Sequence, residues 1–417
     1  MKSYSITNCQ VCDSKDLESI LFIGDIPPVN TMLKIGGPRI EQIRFPLELC
    51  FCKNCNLTQI NYIPDPNILF PPDYPYTTGT TRILRENFAQ LAEEASELLG
   101  LNPEKDFIVD IGSNDGTLLS NFKNRGHNVL GIEPTDKSIL ANNKGINTWN
   151  EFFNDEVAKN ILGQYGKPKL VTAANVFAHI PNPVDIVKSI SNLIGDDGVF
   201  INESHYLLGL VENLQYDTIY HEHLRYYSLK SMIYLLKQGG LIVFRVKEIP
   251  THGGSIRTYA CKNPKVIDES VQKQLDKEDE FQLHDIGELK CFALDVLKSK
   301  VKLLELLFNT KLYGEKIFAV GAPSRGSTLL NYCGINKDLI ECVVEIKGSH
   351  KIGKYMPGTN IPVLDEEILY REQPEYALLL SWHIYKELIP NLEKRGYKGD
   401  FIIPLPTPKI IKNSNNK

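Results

Sequence analysis

Between residues 104 and 205, short apolar runs alternate with segments whose apolar positions recur every three or four residues. FIVDI, VLGIEP, KLVTAANVFAHI and VFINES read as buried strands, and TLLSNFKNRG and PVDIVKSISNLIGDDG as helices. Such alternation implies right-handed crossovers and a doubly wound, parallel α/β sheet. A second series begins near Glu315 with KIFAVG, the turn GAPSRG and the helix STLLNYCG, followed by ECVVEI, YALLLSW and FIIPLP. Two Rossmann-like units are therefore expected, joined by a long helical pattern over 279–313 and followed by a frayed tail, KNSNNK. From Thr80 to Leu99, Leu84, Phe88, Leu91, Ala95 and their neighbours recur at helical spacing, which reads as a packing helix leading into the first unit. The start of the chain is different. IPPVN, IGGP, YIPDPN and FPPDYP are turn signals, so regular structure should be sparse there and a bound metal should supply stability that a small core cannot. The boundaries this pattern predicts are 1–75, 76–275 and 276–417.

Composition narrows the function. The chain has 417 residues, 42% hydrophobic and 23% charged, which fits a soluble, multidomain globular protein. Lys+Arg 46 against Asp+Glu 51 leaves a net charge of −5, which argues against a partner bound by neutralising phosphates, so no nucleic acid is expected. No run of about 18 apolar residues exists to span a membrane, and MKSYSITNCQVCDS lacks the apolar core of a signal peptide, so a cytoplasmic location is expected. Five of the 9 cysteines fall in the first 55 residues, which in a reducing compartment points to metal ligation before disulfides.

Cys9-x-x-Cys12 and Cys52-x-x-Cys55 form two knuckles, each able to present two thiolates to one tetrahedral cation. Four sulfurs close such a site, so a structural zinc is expected and Cys50 is the spare; unliganded thiols are the plain alternative. The run Val109-Asp110-Ile111-Gly112-Ser113-Asn114-Asp115-Gly116 ends a predicted strand and opens a helix. About 20 residues on, Glu133 ends the next strand, placed to accept both hydroxyls of a ribose. A dinucleotide would want G-x-G-x-x-G, and Asp115 would repel its pyrophosphate, whereas S-adenosylmethionine carries a sulfonium cation and no phosphate. The predicted donor set is Asp110, Gly112, Asn114, Gly116 and Glu133, with Asn175 in the run KLVTAANVFAHI.

Tyr220-His221-Glu222-His223 admits a strand-borne metal pair, a surface loop or an acid/base cluster, with a hydrogen-bonded structural cluster as the plain alternative. It is not H-E-x-x-H, so zinc-protease chemistry has little support. His179, in the last strand-like run before PVDIVK, is either a site residue or packing. Gly321 to Gly326 offers amides, hydroxyls and the cation Arg325 to an anion, or is simply a tight turn. Lys351 belongs to a basic cluster nearby.

Taken in order, the paired C-x-x-C knuckles, VDIGSNDG, QYDTIYHEHLRYYSL, HGGSIRTY and VGAPSRGSTLLNYCGI resemble the S-adenosylmethionine-dependent sugar C-methyltransferases of branched deoxysugar biosynthesis. The resemblance implies a zinc-binding amino-terminal domain, a class I methyltransferase core of Rossmann-like fold and a second Rossmann-like domain that helps hold a nucleotide diphosphate. It also implies methylation at C3 of a nucleotide-linked 4-keto sugar. His223 is then the base, with Glu222 and Tyr220 beside it and His179 and Tyr74 or Tyr76 completing the pocket. Ser324, Arg325 and Lys351 are then candidates for the diphosphate. GAPSRG and EIKGSHKIGKYMPG depart from the family's usual turns, which leaves the nucleotide base open. The expected partner is a nucleotide-diphospho keto sugar, and the expected assembly a monomer or weak homo-oligomer. The competing readings are O- or N-methylation of a sugar or small molecule, and a noncatalytic zinc or nucleotide-binding module.

Overall fold

The structure is a computed structural model that describes residues 3–38, 40–70 and 77–414. Its centre is a seven-stranded sheet. From one edge it runs Thr148–Trp149, Asn128–Ile132, Phe107–Ile111, Leu170–Ala174, Val199–His205, Ser255–Cys261 and Ile242–Ile249. The first five are parallel, and Ser255–Cys261 is antiparallel to both of its neighbours. Crossovers leave Phe107–Ile111 in opposite directions, so a crevice opens at its carboxyl end. The inner parallel strands Phe107–Ile111 and Leu170–Ala174 are almost wholly buried because helices cover both faces. Arg82–Leu99 lays Phe88, Leu91, Ala92 and Ala95 onto the sheet and stops at Gly100 in a left-handed cap.

The second sheet has six strands in the order Val363–Asp365, Cys342–Glu345, Ile317–Val320, Tyr376–Leu379, Asp400–Ile403 and Lys409–Ile411, all parallel but the last. Its crossovers diverge at Ile317–Val320. The two edge strands are absent from the sequence reading because VLD and KII are too short to register as periodic.

The amino-terminal segment holds more regular structure than its turn signals predict. Leu17–Ile26 and Phe45–Cys52 form a long antiparallel pair, extended by Thr58–Ile60 and by Arg225–Tyr226 from far along the chain. Bulges between Ser19 and Leu21 and between Phe22 and Gly24 break the two-residue period, which hides the strand in the sequence. The helical pattern over 279–313 is two helices, Glu269–Glu280 and Ile286–Leu312. Gln282 turns the chain with φ 56°, and Asp285 caps the second helix by accepting from the Gly287 and Glu288 amides. The tail is tied down at least to Asn413, which is fully buried and donates to the Tyr397 and Gly399 carbonyls. No helix among the described residues is long and apolar enough to cross a membrane.

Candidate active site

The four knuckle cysteines converge: their sulfurs all lie within 4.8 Å of one another, with Cys9 3.5 Å from Cys55 and Cys12 3.5 Å from Cys52. Four thiols in so small a space cannot all ionise unaided. The Cys55 and Cys9 thiols hold the Cys52 sulfur far toward thiolate, while Cys9 itself is pushed up to about 12. A divalent cation at the centre removes that conflict, and an all-sulfur tetrahedral set is the donor chemistry of structural zinc. Gln10, inside the first knuckle, accepts from Arg225 Nη1 at 2.6 Å, and Arg225 Nη2 donates to the Phe177 carbonyl. The knuckle is thereby keyed to the loops that carry His179 and His223.

At the carboxyl end of Phe107–Ile111, Gly112 takes φ 69°, and a Cβ there would meet Val176 Cγ2 at 2.5 Å. Glu133 reaches the same turn: Oε2 accepts from the Asn114 amide at 2.9 Å and Oε1 from the Thr135 amide and hydroxyl. A carboxylate offers about four acceptor positions, so capacity remains for a diol. Asn114 Oδ1 accepts from the Thr78 amide, which brings 77–81 over the crevice. Asp110 is buried, accepts from Thr172 Oγ1 at 2.6 Å and is pushed by burial up to about 7. Asp115 is raised by burial, but Lys144 at 2.7 Å and Thr117 outweigh that and hold it below the usual carboxylate range. Gly116 caps the following helix with φ 76°, and Asn175 takes φ 59° with its amide donating to the Glu203 carbonyl.

The two histidines of YHEH point apart. His221 Nε2 faces the Pro46 carbonyl at 3.2 Å, and its ring meets Phe45 edge-on inside the amino-terminal sheet. It is the structural member of the pair. His223 Nδ1 faces the Thr218 carbonyl at 3.2 Å, and because a carbonyl only accepts, Nδ1 carries the proton. Nε2 is then a lone pair, to which the Tyr220 hydroxyl donates at 3.1 Å. Around this ring stand Tyr220 at 4.2 Å, His179 at 5.1 Å, Tyr226 at 6.1 Å and His205 at 6.4 Å between centroids. Burial first, and then His179 and His205, hold His223 well below 6.5. His179 donates from Nδ1 to the Glu222 carbonyl at 2.6 Å, and burial brings it down to about 4. The Glu222 carboxylate accepts from Asn30 Nδ2 at 2.6 Å.

The third part of the chain closes the other side. Ser324 Oγ donates to Asn30 Oδ1 at 3.4 Å, so Glu222, Asn30 and Ser324 join all three segments at one point. Lys351 donates to the Ala322 carbonyl at 2.6 Å and is lowered by burial. Arg325 is less available than the sequence suggests. Its Nε and Nη2 grip the buried Asp217 at 2.8 Å each, and the guanidinium lies 4.9 Å over the Trp382 ring. Nη1 lies outside that fork.

Sequence reasoning did not single out His205, His252, Asn30, Asp217 or Trp382. His205 ends the strand Val199–His205, is buried, and has no hydrogen-bond partner for either ring nitrogen among the described residues. Burial, with Arg325 and His252, takes it down to about 3. His252 stands in HGGS at φ 56°, rare for a residue with a Cβ. That His205 sits at a strand's carboxyl end, as His179 follows one, is the signal that would have found it. Tyr74 and Tyr76 lie outside the described residues.

Three family models match the chain in order: a zinc binding domain over residues 9–70, a methyltransferase domain over 83–245 and a C-methyltransferase C-terminal domain over 250–406. Over 413 residues, 97% of each chain, the sequence is 31% identical to the C-methyltransferase NovU of Streptomyces niveus. Among solved structures, an S-adenosylmethionine-dependent methyltransferase of Clostridium acetobutylicum is 16% identical, with 43% of this chain and 92% of that one covered and a TM-score of 0.35. The magnesium protoporphyrin IX methyltransferase of Synechocystis, solved with bound SAH, is 15% identical over 43% of this chain and 84% of its own, with a TM-score of 0.34.

Proposed function

The chain belongs to the C-methyltransferase family, and we propose that it methylates C3 of a nucleotide-linked 4-keto sugar through an enolate generated by His223. S-adenosylmethionine, when bound, supplies the electrophilic methyl group that the enolate carbon captures. The donor crevice at Asp110, Gly112, Asn114, Gly116, Glu133 and Asn175 is its place in this reading, with Glu133 toward the ribose. A zinc ion held by Cys9, Cys12, Cys52 and Cys55 is structural.

The observation that carries the reading is the fixed tautomer of His223, a buried neutral imidazole whose unprotonated Nε2 meets the Tyr220 hydroxyl. A ketone acidifies its neighbouring C–H, and an imidazole is suited to take that proton near neutral pH. As Nε2 takes the proton, the C–H electron pair becomes the new C=C bond and the carbonyl π pair moves onto oxygen, and the Tyr220 hydroxyl, released from Nε2, is free to donate to the developing oxyanion. The negative charge of the enolate offsets the desolvation that otherwise disfavours imidazolium here. Glu222 fixes Asn30, and through it Ser324, while its backbone carbonyl holds His179. Ser324, Lys351 and the outer amino group of Arg325 are the proposed diphosphate contacts.

Solvent deuterium exchange at the carbon beside the ketone tests this, measured with S-adenosylhomocysteine in place of the donor. Exchange that disappears in His223→Ala is expected. A methyl group found on oxygen or nitrogen, or C–C product with no exchange in any tested keto-sugar nucleotide, overturns it.

A further inference from the structure

The helix Ile286–Leu312 carries two apolar seams and uses one. Leu289, Phe292, Val296 and Leu303 face the core. A second seam, Leu294, Leu297, Val301, Leu304 and Phe308, repeats at the alternating three- and four-residue steps of a heptad. Four of its members face solvent, Leu294 at 56%, Leu297 at 50%, Val301 at 57% and Phe308 at 53% exposure, while Leu304 is half-buried with one side against the core. An ordinary surface helix puts charge on that side. Aliphatic and aromatic side chains in register along two heptads form a contiguous patch of the kind that marks an association surface.

We infer that this seam pairs antiparallel with the same helix of a second copy of the chain, on a two-fold axis passing between residues 302 and 303. The register is set by both layers of chemistry. With that axis, Val301 packs against the partner's Leu304 and Leu297 against the partner's Phe308, each contact made twice. Charges flanking the seam then complement one another: Lys298 lies across from the partner's Glu305, again twice. Both side chains are exposed, and the 2.8 Å pair that Lys298 makes with Asp295 is a surface contact that costs little to exchange. A parallel pairing would instead set Glu305 against Lys300, whose ammonium already sits 4.5 Å over the Tyr332 ring of its own chain. An isologous two-helix contact is at the small end of stable interfaces, so the dimer forms and dissociates with concentration.

Sedimentation equilibrium of the full-length, zinc-loaded protein over a concentration series tests the proposal. The mass should rise from one chain to two, and Val301→Glu should weaken association by about 100-fold, because like charges then meet near the axis. Lys298→Glu and Glu305→Lys should each weaken it by about tenfold, and the double exchange should restore it. Three of these substitutions sit on solvent-facing positions and leave the core untouched, and the charge series decides the matter even if Val301→Glu misfolds. A single-chain mass throughout overturns the proposal. So does a dimer indifferent to Val301→Glu, or a double variant as weak as the singles. Binding to anionic lipid vesicles that requires Val301 while the mass stays at one chain would overturn it in favour of a membrane surface.

Discussion

The two doubly wound sheets use one backbone device with opposite charge. In each, the first strand runs into a glycine with positive φ, Gly112 at 69° and Gly321 at 82°. In each, an acidic residue at the end of the second strand reaches back to that turn: Glu133 accepts from the Asn114 amide and Glu345 from the Ala322 amide, both at 2.9 Å. The crevice is therefore a product of topology. What differs is the charge beside it. The central turn carries Asp110 and Asp115, and the carboxyl-terminal turn carries Arg325 with Lys351 against the Ala322 carbonyl. Under the proposed function, a shared frame with reversed charge suits a sulfonium on one side and a diphosphate on the other.

The most severe way to test that arrangement is to remove the proposed base while leaving both crevices intact. His223→Ala should lower methyl transfer by about 10³-fold, the scale of a lost general base. Calorimetric binding of donor and acceptor should change little. A variant that loses donor binding as well would mean that His223 belongs to the central crevice and not to the reaction between the two.

Exchanging the acids sharpens the comparison next. Glu133→Ala should weaken the donor by roughly 10–100-fold, the scale of a hydrogen bond to a charged group, and spare the acceptor. Glu345→Ala should do the reverse by disordering the GAPSRG turn. Equal losses in both ligands from either variant would break the idea of two independent crevices.

How much of this was legible from the chain follows the range of the interactions. The knuckles, the VDIGSNDG turn and its distant Glu133, and GAPSRG are local signals, because turn geometry and thiolate ligation are written within a few residues. The contacts that assemble the pocket are not local. Asn30 meets Glu222 across 192 positions and Asp217 meets Arg325 across 108, and neither residue has any periodicity to betray it. Arg325 read as a cation free for an anionic ligand because its buried counter-ion is so distant in sequence. The bulged strand Leu17–Ile26 was hidden for the opposite reason: a local irregularity masked a regular element.

A smaller effect should come from the link between metal knuckle and pocket. Gln10→Ala removes the acceptor that holds Arg225 at 2.6 Å, two residues from His223. A loss of about tenfold or less in turnover, with zinc content unchanged, is expected for a residue that positions the loop without touching the reaction. Zinc lost along with activity would mean that Gln10 serves the knuckle itself, and the two regions would not be coupled in the way described.

The mildest test is pH, and it separates the crevices by sign. A histidine at its ordinary 6.5 would be only about a tenth to a quarter unprotonated at pH 5.5–6. His223 is held well below 6.5 by burial, so the rate constant with limiting acceptor should stay nearly level from pH 7.5 to about 6 and fall only at lower pH. The donor side should behave differently. Asp110 is raised to about 7, so it is largely neutral at pH 6 and ionised at pH 8. An ionised carboxylate attracts a sulfonium, so S-adenosylmethionine should bind about twofold to threefold more tightly as pH rises through 7, whereas the uncharged sulfur of S-adenosylhomocysteine should not. Isothermal titration of both ligands at the two pH values decides it: a parallel change in both would place the titrating group near the adenosine and away from the sulfur.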